Sequence, residues 1–259
     1  MTKKIIHLFK NDLRISDNPS FSAACENGDV IPIYILDEGN IYDDSAQGWW
    51  LINSLEKLNQ SLSNNLYMYS GNYKDVISNL VKKYDIQAVY WNRSYDPYSI
   101  NRDKDLKLYL ENKNIEVKTF NSTLLWEPWL VAKPDGTPYR VFSPFYRKGC
   151  LKRHAGPRLV ISKKDYNFSD KLDSSGDISS LNLLPKHHWK DKLEKHWRIG
   201  EKFAMEKYIH FRDNGLTGYK EGRNFPAQEN VSVLSPHLHF GEISPHQIWF
   251  DDKLSLIHI

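Results

Sequence analysis

Between Tyr219 and Ser244 the sequence reads YKEGRNFPAQENVSVLSPHLHFGEIS. Tyr219 is followed four residues later by Arg223, and then by hydroxyls at Ser232 and Ser235 in a Val-Ser-Val-Leu-Ser turn. Together these types suit the holding of a flat, anionic ligand. Tyrosine offers a ring face and a hydroxyl. Arginine presents a planar fork that takes two phosphate oxygens at once. Short hydroxyls at a turn cap a helix, and a helix start also binds anions. If a helix runs on from Tyr219, Arg223 shares its face. Each residue also has a plainer reading: a packed ring, a solvated arginine, capping serines. His237 and His239 form an H-x-H pair close to Glu242, but a zinc-type site needs further ligands, and no metal is expected. Gly241 suits a tight backbone turn. No Ser-His-Asp set stands out.

A scaffold must carry these groups, and the first 130 residues supply one. Short apolar runs at Ile5–Phe9, Val30–Leu36, Leu66–Tyr69 and Ala88–Trp91, and the alternating Ile115, Val117 and Thr119, read as five strands. Helical spacing lies between them: a Pro19 start capped by Asn18 and closed by Gly28, the Leu51–Leu62 leucines, Val76–Val81, and Pro97–Glu111. Strand–helix alternation predicts a Rossmann-like, doubly wound parallel sheet of five strands covered on both faces. Ligands in such sheets sit outside the carboxyl ends of the strands, which singles out Lys10–Arg14, Asp37–Glu38 and Asn92–Asp96. None carries G-x-G-x-x-G, so no dinucleotide fingerprint is present there.

From about Glu127 the pattern breaks into turns (KPDGTPY, 133–139) and a polar stretch (DSSGDISS, 173–180). Helical periodicity returns with Ala204, Tyr208 and Phe211 on one face. The expected organisation is an α/β unit over 1–130, a linker over 131–195, and the beginning of an all-helical domain over 196–259. The net charge of +3, from 35 Lys and Arg against 32 Asp and Glu, is too small to name a nucleic-acid partner. A local cluster is more suggestive: Arg140, Arg147, Lys148, Lys152, Arg153, Arg158, Lys163 and Lys164. Only Cys25 and Cys150 are present, which excludes a disulfide framework and fits a reducing compartment. No window is long and apolar enough for a membrane span, so a cytoplasmic protein is expected.

Four co-linear segments resemble the DNA photolyase/cryptochrome family: HLFKNDLRISDN (7–18), VYWNRSYDPYSINRD (89–103), LLWEPWLVAKPDGTPYRVFSPFYR (124–147) and GYKEGRNFPAQENVSVLSPHLHFGEISPHQIW (218–249). The resemblance implies light-driven repair of pyrimidine dimers by reduced FAD, with damaged DNA as partner and a monomer acting alone. It implies that Tyr219 and the turn Val231, Ser232, Val233, Leu234, Ser235 contact FAD, and that Arg223 contacts DNA. It also implies an antenna pigment, a methenyltetrahydrofolate or a deazaflavin, near Asp96, where the family often has glutamate. The family turn usually reads Thr-Ser-Arg-Leu-Ser, so Val231 and Val233 remove one hydroxyl and one positive charge. Most of the flavin-binding domain and its electron-transfer tryptophans are expected beyond Ile259, and the closing KLSLIHI does not continue the family pattern. A cryptochrome-like photoreceptor shares every one of these features. A stand-alone α/β nucleotide-binding module is the alternative from another class.

Overall fold

The structure is a computed structural model, and it describes residues 2–38, 42, 44–152, 156–162, 164–169, 172, 178–183 and 187–251. Arg153, Lys163 and the KLSLIHI segment lie outside the described residues. Five parallel strands, β1 (Lys4–Phe9), β2 (Asp29–Leu36), β3 (Tyr67–Ser70), β4 (Ala88–Asn92) and β5 (Glu116–Phe120), form one sheet in the order β3-β2-β1-β4-β5. The helices α1 (Pro19–Asn27), α2 (Ala46–Ser61), α3 (Tyr73–Tyr84) and α4 (Pro97–Glu111) connect them. The strand order reverses between β1 and β4, where the crossover leaves one face of the sheet for the other.

Side-chain alternation along the strands explains the two layers. Ile5, Phe9, Val30, Tyr34, Ala88 and Tyr90 point into a core with Phe21 of α1 and Trp49, Leu55 and Leu58 of α2. Ile6, Leu8, Ile31, Ile35, Val89 and Trp91 point the other way, onto Ile77 and Leu80 of α3 and Leu106 and Leu110 of α4. Expected and observed ends mostly agree within a few residues. The exception is α2, which begins at Ala46, five residues before its first leucine, because Ser45 caps it by accepting from the Gly48 N–H at 3.0 Å. Asn18 caps α1, accepting from the Phe21 N–H at 3.2 Å. Gly28 does close α1, but by space rather than dihedral: a Cβ there would lie 2.0 Å from the Lys3 carbonyl oxygen.

Described residues of the stretch between the α/β unit and the later helices pack onto that unit. Because β3 is short, the amino end of β2 is open on that side, and Asn167–Ser169 fill it: Val30 N–H donates to Asn167 O at 2.9 Å, and Ser169 N–H to Val30 O at 3.1 Å. Leu181 and Leu183 enter the core beside α2. Beyond a helical turn at Phe142–Pro144 (α5) come α6 (Lys190–His196), α7 (Glu201–His210), α8 (Tyr219–Gly222), α9 (Ser235–His239) and α10 (Pro245–Trp249). The structure buries Ala204, Tyr208, Leu234 and Ile243 against one another, while Phe225 and Leu238 are exposed.

Candidate functional site

Two candidate ligand sites and a seam between them come together around residues 10–18. The first is a cavity of about 480 Å³ at the carboxyl ends of β1, β2 and β4, where the strand order reverses. Tyr34 and Tyr73 are its buried aromatic walls, and Tyr98 stands exposed at its edge. A chain of charges runs through it. Asp37 pairs with Arg102 at 2.9 Å, Arg102 with Asp103 at 3.0 Å, and Asp103 with Lys10. The Arg102 guanidinium lies 3.8 Å from the Tyr73 ring centroid. Burial pulls the Lys10 ammonium down to about 8 against the opposing pull of Asp103. The cavity therefore offers ring faces, fixed cations and a volume suited to a flat polar ligand.

Asp96 lines this cavity and also caps α4, accepting from the Ser99 N–H at 2.9 Å. Partial burial pushes its carboxyl up, but the Ser99 N–H and hydroxyl outweigh this and hold it below the usual range.

The second site is the serine turn. Asn230 fixes it against α8: its Nδ2 donates to the Gly215 carbonyl at 2.9 Å, and its side chain occupies the space where Cβ atoms on Gly218 and Gly222 would fall. Tyr219 on α8 is thereby held in the same region as Val231–Ser235. Arg223 shares its face, with the guanidinium 5.5 Å from the Tyr219 ring. Val231 and Val233 are exposed, Ser232 is half-buried and Ser235 exposed. Leu234 differs from the others: its side chain is buried against Ala204, Tyr208 and Ile243, so it anchors the turn and can offer a ligand only its backbone. Neither serine hydroxyl, nor the N–H of Ser232, Val233, Leu234 or Ser235, makes a hydrogen bond among the described residues. The turn thus keeps a set of unspent donors, which fits a diphosphate.

Val233 holds φ of +50°. A β-branched residue in the left-handed region is strained by roughly 1–2 kcal/mol. Because its side chain is exposed, Val233→Asn is expected to raise stability by about 1 kcal/mol, read as a shift of the urea midpoint at unchanged slope. A lowered midpoint would show that the valine packs usefully.

The H-x-H pair does not converge. His237 is buried with Nδ1 on the Glu242 carboxylate, while His239 is exposed and lines the sheet-end cavity. Leu238 lines it too, so α9 starts at the serine turn and ends in the cavity wall. Five helical residues span about 7.5 Å.

The seam was not found by sequence reasoning, which placed Lys10–Arg14 only as ligand-facing. Lys10 and Asp12 do line the cavity, but Arg14 is wholly buried. Arg14 Nη1 donates to Gly241 O at 2.9 Å; Nη2 donates to Asp17 O at 3.0 Å and to Ser122 O at 3.1 Å; Nε donates to Ser16 O at 3.1 Å. Burial pulls its pKa down, while Asp12, Asp17 and Glu201 hold it up. Glu201 accepts from the Ile15 and Ser16 N–H groups, both at 2.9 Å. Asp17 pairs with Arg158 and accepts from Ser244 Oγ. Gly241, at φ +68°, lies so close that a Cβ would sit 2.1 Å from Asn11 O. The available signal was the composition of Asp12–Asn18, which is too charged for a loop with no partner.

The DNA photolyase family model matches residues 5–160. The chain belongs to this family. A deoxyribodipyrimidine photo-lyase of Agrobacterium fabrum is 38% identical over 268 residues, covering 100% of this chain and 55% of that protein. A bacterial class III photolyase from Agrobacterium tumefaciens superposes with a TM-score of 0.91 at 37% identity, covering 99% of this chain and 54% of that one. An archaeal photolyase from Sulfolobus tokodaii, solved with two FAD molecules, gives a TM-score of 0.75 at 28% identity, over 96% of this chain and 55% of that one. The chain spans about half the length of the photolyases it matches. Among the described residues, no helix is long and apolar enough to cross a membrane.

Proposed function

We propose that this chain is the antenna-side portion of a deoxyribodipyrimidine photolyase, which repairs pyrimidine dimers in DNA using light. The observation that carries the reading is the serine turn, held beside Tyr219 with all its donors unspent. Ser232, Ser235 and the turn amides would hold the diphosphate of FAD, and Tyr219 would border it. When bound and reduced, FAD supplies the excited electron donor for dimer splitting. Arg223 would meet the DNA backbone, giving salt-dependent binding. The sheet-end cavity would hold the antenna pigment, with Asp96 in its wall and α9 fixing its separation from the turn. The three-part organisation at 1–130, 131–195 and 196–259 belongs to the same proposal. So does a cytoplasmic monomer, supported by two cysteines that remain free.

Among the described residues, the serine turn and Tyr219 would meet the diphosphate, and none is assigned to the flavin ring. The 259-residue chain is therefore expected to bind FAD weakly and to repair nothing alone. A Val231→Thr substitution adds one hydroxyl, worth about 0.5–1.5 kcal/mol, or about 2- to 13-fold in affinity. A Val233→Arg substitution adds a charge-assisted bond worth about 1.5–3 kcal/mol. Flavin fluorescence titration reads both, with Ser232→Ala as the weakening control. If none of the three shifts the affinity, the diphosphate assignment fails. A stoichiometrically yellow wild-type protein would overturn the expectation of weak binding.

A further inference from the structure

The His237–Glu242 pair stands apart from both candidate sites and faces a third cavity, of about 310 Å³, lined by α7, α9 and the Trp197-Arg198 link. Of the described residues that line it, His237 is the buried one, at 1% exposure. Its ring is held from behind. Glu242, wholly buried, accepts from Trp50 Nε1 at 3.1 Å and from His237 Nδ1. The edge-on contacts of Trp50 with His237 and with Trp197, both at 5.1 Å, fix the two rings relative to each other. A carboxylate only accepts, so Nδ1 carries the hydrogen and Nε2 is left as the working atom of the ring. Nε2 makes no hydrogen bond among the described residues and is not closed off by protein, so it opens on this cavity. A ring nitrogen oriented this firmly and given no protein partner calls for one from outside the chain.

The walls show what kind. Trp197 and Phe203 are half-buried rings in the lining. The Lys207 ammonium lies 5.4 Å from the Trp197 ring centroid and has no carboxylate partner among the described residues. Arg198 covers Phe203 at 4.0 Å and is shared with Glu206 at 3.3 Å. The lining thus carries one uncommitted cation, one half-committed cation and an oriented imidazole. His196 and His210 line the cavity too, but among the described residues no three such groups converge on a metal ion. An acid suits this set in either state of the ring: its hydroxyl donates to Nε2, or its oxyanion accepts from a protonated Nε2. The volume, at the low end for ligand sites, limits the body to about one ring.

We propose that this cavity binds a small planar organic acid, a carboxylate or a phosphate monoester, with its oxyanion held by His237 Nε2 and the Lys207 ammonium and its flat body against Trp197 and Phe203. The inference does not rest on the flavin or antenna assignments: neither Tyr219 nor the serine turn lines this cavity, and it shares no lining residue with the sheet-end cavity.

The test is isothermal titration calorimetry of the 259-residue chain, without flavin or pigment, against phenyl phosphate, phenylacetate and the neutral phenylacetamide. One site is expected, with a dissociation constant on the order of 1 mM or tighter for at least one of the acids. Which acid binds more tightly decides between phosphate and carboxylate. Phenylacetamide should bind at least tenfold more weakly than the better acid. Lys207→Gln should cost about three- to tenfold in affinity, the scale of one charge-assisted bond at a partly exposed site. Glu206→Gln should instead raise affinity, by about two- to fivefold, because it releases Arg198. His237→Gln should lose at least tenfold; if that variant does not fold, the Lys207 and Glu206 variants, whose thermal melts should match the wild type, decide alone. The proposal is overturned if the wild type binds neither acid, if the amide binds as well as the acids, if Lys207→Gln leaves the affinity unchanged, or if Glu206→Gln fails to raise it.

Discussion

Arg14→Met is expected to lower the stability of the chain by about 3–5 kcal/mol, the scale seen when one partner of a buried charged network is removed. The side chain is fully buried, and it donates to the backbone carbonyls of Ser16, Asp17, Ser122 and Gly241. Methionine fills much of the volume but leaves those carbonyls without their donor in a dry site, and unsatisfied buried acceptors cost roughly 1–3 kcal/mol each. Relaxation and water entry keep the total below the simple sum. Arg14→Lys retains the charge but loses the planar fork, so it should recover less than half of the deficit. Urea melts followed by tryptophan fluorescence read the result. Trp50 is a natural reporter of the seam: it stacks on Phe240 and its Nε1 donates to Glu242 at 3.1 Å. If Arg14→Met melts within about 1 kcal/mol of the wild type, the network does not hold the 235–249 segment to the sheet.

The seam also shows where the sequence could be read and where it could not. The α/β unit was legible because its signals are local. The short apolar runs Ile5–Phe9 and Ala88–Trp91, the Asn18-Pro19 helix start, and the Pro97 start of α4 act within a few residues. The serine turn was legible as a unit, and its proximity to Tyr219 emerged with the structure. What brings them together is Asn230, an unremarkable polar residue that fits only because Gly218 and Gly222 lack Cβ atoms. Arg14 was illegible for the same kind of reason. Its partners at Ser122 and Gly241 lie 108 and 227 residues away, and they are carbonyl oxygens, which every residue has. No side-chain pattern announces a backbone acceptor. The pairing of Asn167–Ser169 with β2 was likewise hidden, because it depends on β3 being too short to cover β2.

Acid should unfold this chain in two stages, and the first belongs to histidines rather than carboxylates. His7 and His246 are both fully buried. Burial lowers each from 6.5 to about 4, with Lys10 lowering His7 further, Arg158 and Arg14 lowering His246, and nearby Asp12 and Asp17 pulling the other way. Neither ring has a full set of partners: His7 Nδ1 and His246 Nε2 have none, so a proton gained there finds no acceptor in place. The sign follows from the proton count. Between pH 6.5 and 4 the unfolded chain binds protons that the native state refuses, so stability rises with pH across this window. Their contribution is whole above pH 6.5 and is lost as pH falls towards 4, by up to about 3 kcal/mol for each ring. Asp17 acts lower down. Burial raises its carboxyl, but Arg158, Ser244 and the Ile161 N–H outweigh that and hold it below its usual value. The stability it contributes is present above pH 3.8 and disappears as pH drops through its native pKa. Urea midpoints measured from pH 7.5 to 4 should therefore fall with the steepest change below 6.5, and His246→Gln should flatten that limb by about half. A wild-type profile that stays level down to pH 4.5 would mean that both rings accept protons in the native state, and that the seam around Ser244 is wetter than its geometry implies.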